Sequence, residues 1–185
     1  MTTKPLHIVG FCGSIRKDSL NKALLIQASK LLPAHCQFTF ADISQLPLYN
    51  QDLENDLPAS VIELARLAQS ADGFLISCPE YNHSVPGVLK NALDWLSRQF
   101  VGTPLASKPV AIMGAAPGMF GTVRAQVHLR DILFGLNMSP VNRPEVMIPQ
   151  ATSKFDENGL LTDETSLQFL KQLVDNLAAA IETRK

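Results

Sequence analysis

The fold is decided by the stretch Leu6-His7-Ile8-Val9-Gly10-Phe11-Cys12-Gly13-Ser14-Ile15-Arg16-Lys17-Asp18-Ser19-Leu20-Asn21. Residues 6–12 are a short apolar run with β-branched residues, which is typical of a buried parallel strand. In residues 20–32 apolar residues recur at helical spacing. The stretch therefore predicts a strand, a short loop and a helix, and in an open α/β sheet such a junction is a ligand-binding position.

The loop between this strand and helix carries donors suited to a phosphate. Ser14, Arg16, Ser19 and Asn21 supply hydroxyl, guanidinium and amide groups, and Leu20 lies beside them at the start of the helix. Several such donors together match a phosphate dianion. Taken singly, Ser19 is equally explained as a helix N-cap and Arg16 as a solvated charge. Since neither G-x-x-x-x-G-K-[ST] nor G-x-G-x-x-G is present, we expect one terminal phosphate rather than a triphosphate or a dinucleotide.

The rest of the chain continues the alternation of strands and helices. Further strands are predicted at residues 36–40, 74–78, 110–113 and 138–148, the last interrupted at Asn142-Arg143-Pro144. Further helices are predicted at residues 58–71, 88–100, 122–134 and 163–182, with Thr162 as the cap of the last one. This pattern predicts one α/β domain over residues 1–185. Its architecture is a doubly wound, five-stranded parallel sheet with the flavodoxin-like order 2-1-3-4-5.

In that order the loop after the third strand lies beside the phosphate loop. Pro79 and Pro86 hold this second loop extended, which leaves backbone N–H and C=O groups for a flat heteroaromatic ring such as a flavin. Gly114 and Gly118, after the fourth strand, permit close approach of a third loop, whose N–H groups suit the negative edge of a reduced ring. Glu80 is expected to fix backbone N–H groups or to cap the next helix.

Two motifs carry a resemblance to a known family. They are Gly13-Ser14-x-Arg16-x-x-Ser19-x-Asn21 and Pro79-Glu80-Tyr81-Asn82-x-Ser84-x-Pro86-Gly87-x-Leu89-Lys90-Asn91-Ala92-x-Asp94-Trp95. In order and spacing they resemble the NAD(P)H-dependent FMN reductase family, notably its bacterial chromate and quinone reductases. The resemblance implies a flavodoxin-like fold, non-covalent FMN, oxidation of NAD(P)H, and homodimers that often pair into homotetramers.

Carried over by position, the resemblance assigns residues to the cofactor. Phosphate contacts fall on Ser14, Arg16, Ser19 and Asn21, with Leu20 beside them, and contacts to the ring and ribityl chain fall on Pro79, Glu80, Tyr81, Asn82 and Ser84. His83 and Tyr49 are candidate contacts for substrate. Arg124 and His128, one helical turn apart, either pair across a subunit interface or are simply exposed. No side chain is expected to act as a catalytic acid or base, because the flavin carries the chemistry.

The predicted reaction passes hydride from NAD(P)H through FMN to a small-molecule acceptor by a ping-pong mechanism. Quinones are the first candidates, followed by chromate, azo compounds and free flavin. Two alternatives remain open: a flavodoxin-type electron carrier without nicotinamide chemistry, and a binding module for another phosphorylated ligand. A net charge of −1 and the presence of Arg16 argue against the carrier, which usually has a strongly acidic surface.

Composition narrows the function classes further. Hydrophobic residues make up 46% and charged residues 18% of the chain, so a folded protein without affinity for nucleic acid is predicted. No apolar run approaches the roughly 20 residues of a membrane span, and no signal-length apolar region precedes the first strand, which predicts a cytoplasmic protein. Three cysteines, Cys12, Cys36 and Cys78, lack C-x-x-C spacing, and no cluster has the spacing of metal ligands. We expect reduced, mostly buried thiols and no metal.

Overall fold

The computed structural model describes residues 4–184; residues 1–3, part of the segment used for the targeting prediction, and residue 185 lie outside the described residues. Strands and helices alternate along the chain. In order they are β1 (Leu6–Cys12), α1 (Leu20–Lys30), β2 (Cys36–Ala41), α2 (Ala59–Ser70), β3 (Gly73–Ser77), α3 (Gly87–Leu96), β4 (Pro109–Ala115), α4 (Val123–Gly135), β5 (Ser139–Pro140), β6 (Val146–Ile148) and α5 (Glu164–Glu182).

The strands form one parallel sheet in the order β2-β1-β3-β4-β5, which confirms the predicted flavodoxin-like order. In the register of the central strands, Cys12 is opposite Ser77 and Ser77 is opposite Met113. The carboxyl ends of β1, β3 and β4 therefore lie side by side. The loops that follow these three strands emerge at one edge of the sheet, where doubly wound folds bind ligands.

The predicted fifth strand, which the sequence already indicated to be interrupted, consists of two short strands, so the described sheet has six strands in five positions. β5 pairs with the beginning of β4 and β6 pairs with its end, both in parallel. Between them lies the segment Asn142-Arg143-Pro144, where the sequence already indicated an interruption. Proline has no N–H to donate to the neighbouring strand, so the ladder cannot continue through this position.

Helices cover both faces of the sheet, and β1 supplies side chains to both cores. Val9 and Phe11 pack with α2, α3 and α4, whereas Ile8 and Cys12 pack with α1 and α5. Full burial of one such aliphatic or aromatic side chain contributes about 1.5–3 kcal/mol. Gly10 makes room for the ring of Phe38, because a Cβ there would overlap this ring. Within residues 4–184, no helix combines the length and the apolar character needed to cross a bilayer.

Several predicted helix boundaries differ from the observed ones. α1 ends at Lys30 and α3 ends at Leu96, after which Gln99–Val101 forms a separate 3₁₀ turn. Thr162 was the wrong cap for α5: the carboxylate of Asp163 accepts from the N–H of Ser166 at 2.9 Å, while the Thr162 hydroxyl donates to the carbonyl of Lys154. An aspartate and a threonine next to each other are both good caps, and only the tertiary contact decides between them.

Candidate functional site

Three loops meet at the carboxyl edge of the sheet: loop 1 (residues 13–19), loop 2 (residues 79–86) and loop 3 (residues 116–122). Gly13 allows the close packing of loops 1 and 2, because a Cβ there would lie 3.0 Å from Pro79 Cδ and 3.4 Å from Pro86 Cγ. Its N–H donates to the carbonyl of Ser77 at 2.8 Å. A cavity of about 310 Å³ opens between the two loops, lined by residues 13–16, Tyr81 and residues 86–88.

Loop 1 presents hydrogen-bond donors that the protein itself does not use. The hydroxyl oxygens of Ser14 and Ser19 accept from the N–H groups of Arg16 at 3.3 Å and Lys22 at 3.2 Å. Ser19 is thus the N-cap of α1 and its side chain also hydrogen-bonds to Cys12, whereas the hydroxyl hydrogen of Ser14 remains available to a ligand. In the described part of the chain, the N–H groups of Ile15, Lys17 and Asp18 also donate to no protein group. Such a donor set, at the positive end of a helix dipole, fits a phosphate.

Arg16 adds the charge to this donor set. Its side chain is exposed, and within residues 4–184 no carboxylate forms an ion pair with it. Ser19 and Leu20 lie on the other side of loop 1, where they line a second cavity of about 450 Å³ closed by residues 156–159. The predicted phosphate contacts therefore surround loop 1 rather than lining one pocket.

Asn21 faces the protein interior. Its Nδ2 donates to the carbonyl of Ala115 at 2.8 Å, and its Oδ1 accepts from the Ala115 N–H at 3.0 Å and from the Ser77 hydroxyl at 3.1 Å. The side chain is buried, and its polar atoms are hydrogen-bonded to residues at the ends of β3 and β4. The geometry gives Asn21 a role in holding these strand ends together, which the sequence pattern did not reveal.

Loop 2 contains a tight two-residue turn at its tip. Tyr81 and Ser84 exchange N–H···O=C hydrogen bonds of 3.2 and 3.0 Å, and Asn82 and His83 between them adopt φ angles of 50° and 63°. Left-handed backbone is uncommon for residues other than glycine and is typical of a primed hairpin turn. Tyr81, Asn82 and His83 are exposed, and Tyr81 lines the cavity, whereas the Ser84 hydroxyl is 3.0 Å from Nδ1 of His128.

Glu80 caps a helix, as predicted, but the helix is α4 rather than α3, which follows it in the chain. One carboxylate oxygen accepts from the N–H groups of Arg124 at 2.9 Å and Ala125 at 3.1 Å, and the other accepts from the Arg124 guanidinium at 2.9 Å. Burial alone would raise the pKa of Glu80, but these hydrogen bonds and the Arg124 charge outweigh it and lower the pKa. Arg124 and His128 thus both bind loop 2 within the same chain.

Loop 3 is fixed from below by the segment after β6. The N–H of Gln150 donates to the carbonyl of Gly118 and the N–H of Ala151 donates to the carbonyl of Ala116, both at 3.0 Å. At Gly114 a Cβ would overlap the Thr122 hydroxyl, so glycine is required there by packing. A Cβ at Gly118 would meet no protein atom within 4 Å, which leaves that face of loop 3 open to a ligand.

The structure does not bring Tyr49 to this cavity. Its N–H donates to Asn91 Oδ1 at 2.7 Å, its hydroxyl donates to Glu54 at 2.5 Å, and its ring packs edge-on against Trp95 at 5.0 Å. Trp95 lies about 12 Å along α3 from the cavity at Gly87, given a rise of about 1.5 Å per residue. The segment around Tyr49 is docked onto the side of α3 by contacts that have no signature in the local sequence.

The two thiols nearest the site are buried and protonated. Cys12 is the last residue of β1 and leads into loop 1, and Cys78 directly follows β3 and leads into loop 2. Cys36 is half-buried at the start of β2. Burial raises the pKa of Cys12. The pKa of Cys78 is raised to about 12, mainly by burial and to a smaller extent by the nearby Cys12 and Glu80 side chains. Because the thiolate is the reactive form, neither cysteine is poised as a nucleophile at neutral pH.

Comparison with known proteins assigns the chain to a family. The family model described as NADPH-dependent FMN reductase matches residues 6–153, which include all three loops.

The chain belongs to the NADPH-dependent FMN reductase family.

Similar proteins agree with this assignment. The chain is 43% identical over 173 residues to an NAD(P)H-dependent FMN reductase of Pseudomonas aeruginosa, covering 93% of each chain. It is 41% identical over 180 residues to a 2-hydroxy-1,4-benzoquinone reductase of a Burkholderia species, covering 97% of this chain and 98% of the other. Among solved structures, the NAD(P)H:(acceptor) oxidoreductase FerB of Paracoccus denitrificans superposes with a TM-score of 0.88 at 36% identity, covering 96% and 98% of the two chains.

Membership in the FMN reductase family confirms the resemblance, the enzyme class and the cofactors predicted from the two motifs. The family is defined by oxidoreductases that use FMN, with NAD(P)H as the co-substrate.

Sequence reasoning missed the buried polar residues that support loop 3. Gln126 donates to the Thr122 hydroxyl at 3.0 Å and to the Val146 carbonyl at 2.9 Å. A glutamine among the apolar positions of the predicted fourth helix was the available signal.

Proposed function

We propose that this member of the FMN reductase family is an NAD(P)H-dependent quinone reductase that works as a single FMN-binding domain. The reaction is NAD(P)H plus a proton plus a quinone giving NAD(P)⁺ and the hydroquinone. Two electrons and one proton leave NAD(P)H as hydride, and solvent supplies the second proton. The named activities of the relatives in Pseudomonas, Burkholderia and Paracoccus support this assignment.

The observation that carries the proposal is the unused donor set of loop 1 beside the cavity next to loop 2. The hydroxyl of Ser14, the free N–H groups of the loop and the guanidinium of Arg16 fit the phosphate of FMN, and Ser19 caps the helix that follows them. We assign Asn21 to holding the strand ends, since its carboxamide is already occupied. Leu20 lines the second cavity, on the other side of loop 1.

The ring side of the site is assigned to loops 2 and 3. FMN, when bound, supplies two-electron redox chemistry that no side chain of this protein can perform. Pro79 and Tyr81 offer backbone groups and an aromatic wall, and Asn82 lies in the left-handed turn at the tip of the loop. Glu80 holds this loop on α4, and Ser84 is fixed by His128. Gly118 leaves room on the opposite side, above the packed Gly114. The protein therefore contributes to the reaction by positioning the reactants and by electrostatic stabilisation.

We further propose that one open site serves both substrates in turn. The cavity beside Tyr81 takes both substrates, so NAD(P)⁺ must leave before the acceptor enters, which gives ping-pong kinetics. His83, exposed at the tip of loop 2, is the side chain best placed to contact the acceptor. Quinones come first as acceptors, and chromate, azo compounds and free flavin are further candidates. A cytoplasmic location stays a prediction of the sequence.

An optical experiment tests the function. The purified protein, reconstituted with FMN, is mixed anaerobically with NADPH or NADH and then with 1,4-benzoquinone. Bleaching of the yellow colour by the nicotinamide and its return on addition of quinone supports the reductase. A yellow protein that neither nicotinamide bleaches indicates a flavodoxin-type carrier, and failure to bind FMN indicates a site for another phosphorylated ligand. Initial rates at several quinone concentrations give parallel double-reciprocal lines if the kinetics are ping-pong.

We also propose that the chain forms homodimers, or tetramers built from them, through the outer face of α4. Val127 and Phe134 lie two turns apart on that face and are 55% and 86% exposed. Leu48, on the segment docked to α3, is a further large apolar side chain that is 83% exposed. Exposed large apolar side chains of this kind are costly in water and favour association.

A further inference from the structure

Exposed apolar side chains lie on all three loops, and we call this surface the rim. Ile15 on loop 1 is 59% exposed, Tyr81 on loop 2 is 53% exposed, and Met119 and Phe120 on loop 3 are 78% and 66% exposed. Ile15 and Tyr81 line the cavity, and the strand register brings loop 3 to the same edge of the sheet. Single exposed apolar residues need no explanation, but a group on three neighbouring loops indicates a ligand or partner that covers it.

Phe120 is held towards loop 2 by a chain of contacts. The guanidinium of Arg124 lies 4.8 Å from the centroid of the Phe120 ring, and the same guanidinium is bonded to the Glu80 carboxylate at 2.9 Å. The backbone of loop 3 is itself fixed through the carbonyls of Ala116 and Gly118. The ring is therefore a positioned element of the rim and does not hang from an unattached loop.

The charged side chains near Phe120 already have partners. The rim therefore presents apolar surface to an acceptor. Arg124 is paired with Glu80, and Arg16 is assigned to the FMN phosphate. A compact oxyanion keeps its hydration shell and gains nothing from Met119 and Phe120. A quinone with an apolar substituent, by contrast, removes that substituent and these side chains from water together.

We propose that Phe120, together with Met119, determines acceptor specificity by contacting the apolar substituent of a quinone, so that alkyl-substituted quinones are preferred over small, charged acceptors. This inference rests on the proposed quinone reductase function of the same site. Phe120 contributes stacking and apolar area, and Met119 contributes an adaptable thioether that fits substituents of different shape.

The test compares acceptors on the FMN-loaded enzyme at fixed, saturating NADPH. The kcat/KM is measured for 1,4-benzoquinone, for a decyl-substituted benzoquinone and for ferricyanide. Phe120→Ser is expected to lower the ratio of kcat/KM for the decylquinone to that for benzoquinone about tenfold, the size of effect typical of lost apolar contacts. Phe120→Leu, which keeps apolar surface, should retain most of the ratio. Ile62→Ser, an exposed apolar residue of α2, is the matched control and should leave both kcat/KM values unchanged.

The outcomes separate this inference from the function on which it rests. If the wild-type holoenzyme fails to oxidise NADPH with either quinone as acceptor, the proposed function itself fails. If it reduces both quinones but Phe120→Ser leaves their ratio unchanged, the specificity role of Phe120 is overturned. An unchanged ratio together with a smaller assembly in gel filtration would assign the rim to an interface between copies of this chain. The FMN content of each variant, read from its visible absorbance, reveals any indirect effect through Arg124 and loop 2.

Discussion

Asn21 and Ala115 are joined by two hydrogen bonds although they are 94 positions apart in the chain. The carboxamide nitrogen of Asn21 donates to the Ala115 carbonyl at 2.8 Å, and its oxygen accepts from the Ala115 N–H at 3.0 Å. The same oxygen accepts from the hydroxyl of Ser77 at 3.1 Å. One buried side chain thereby ties the beginning of α1 to the ends of β3 and β4, from which loops 2 and 3 emerge.

Replacing Asn21 by alanine should destabilise the protein strongly. The Ala115 peptide groups and the Ser77 hydroxyl would be left buried without partners, and each unsatisfied group costs about 1–3 kcal/mol. We expect the free energy of unfolding of the FMN-free protein, measured by urea titration, to fall by about 2–4 kcal/mol. Asn176→Ala is the control, since that exposed amide makes one bond to the Arg143 carbonyl. A loss no larger than that of the control would contradict the assigned role.

Glu80→Gln should weaken the attachment of loop 2 to α4 at neutral pH. The carboxylate accepts three hydrogen bonds, one of them from the Arg124 guanidinium, and a bond to a charged group is worth about 1.5–3 kcal/mol. Because its pKa is lowered in the folded protein, the carboxylate contributes stability above about pH 4.3. That contribution disappears as the pH falls through the lowered pKa.

The measurement is urea unfolding of both proteins at pH 7, 5 and 3. The gap between wild type and Glu80→Gln should be full at pH 7 and should shrink as the pH falls through the lowered pKa, because the wild-type carboxylate becomes protonated. Glu63→Gln, on the exposed face of α2, serves as the control. A gap that does not shrink at any acid pH at which both proteins fold would show that the ionised carboxylate is not what stabilises the loop.

Arg16→Ala should weaken FMN binding through the phosphate alone. Loss of a charge-assisted contact of about 1.5–3 kcal/mol raises the Kd for FMN roughly tenfold or more, as measured by quenching of flavin fluorescence. Riboflavin, which lacks the phosphate, should bind the wild type and the variant equally. Arg66→Ala, an exposed arginine of α2, should change neither Kd. Equal losses for FMN and riboflavin would move Arg16 from the phosphate to another part of the site.

The three cysteines should differ sharply in reactivity. Cys36 is half-buried, whereas Cys12 and Cys78 are buried with raised pKa values, that of Cys78 to about 12. We expect one thiol to react readily with a disulfide reagent at pH 8 in the native protein, and three after unfolding. Cys36→Ser should abolish the native reaction. Rapid modification of that variant would reveal an accessible thiol beneath the cavity.

Phe134→Glu should disrupt the proposed dimer. Placing a charge where a large apolar ring is 86% exposed makes burial at an interface unfavourable by several kcal/mol, because the carboxylate would lose its hydration. The mass from light scattering should fall to that of one chain, while circular dichroism stays unchanged. Phe169→Glu provides the control on α5, on the opposite face of the sheet. A wild-type protein that is monomeric in light scattering would contradict the proposed interface.

Much of this protein was predictable because strands, helices and βα junctions leave local patterns. β1 occupies Leu6–Cys12, as the apolar run predicted, and the alternation of elements led to the observed strand order. The interruption at Asn142-Arg143-Pro144 indicated where the predicted fifth strand is divided into β5 and β6. The two loop motifs indicated the family before the fold was known. Each of these features depends on residues within a few positions of one another.

The sequence by itself thus determined the fold class, the position of the loop after β1 and the family. Only the tertiary structure decided that Asn21 supports Ala115, that Glu80 caps α4 instead of α3, and that Tyr49 is docked on α3 away from the cavity. The physical reason is that hydrogen bonds and packing between groups 40 or more positions apart have no periodicity along the chain. Their energies depend on distances that exist only after the sheet has brought the strand ends together.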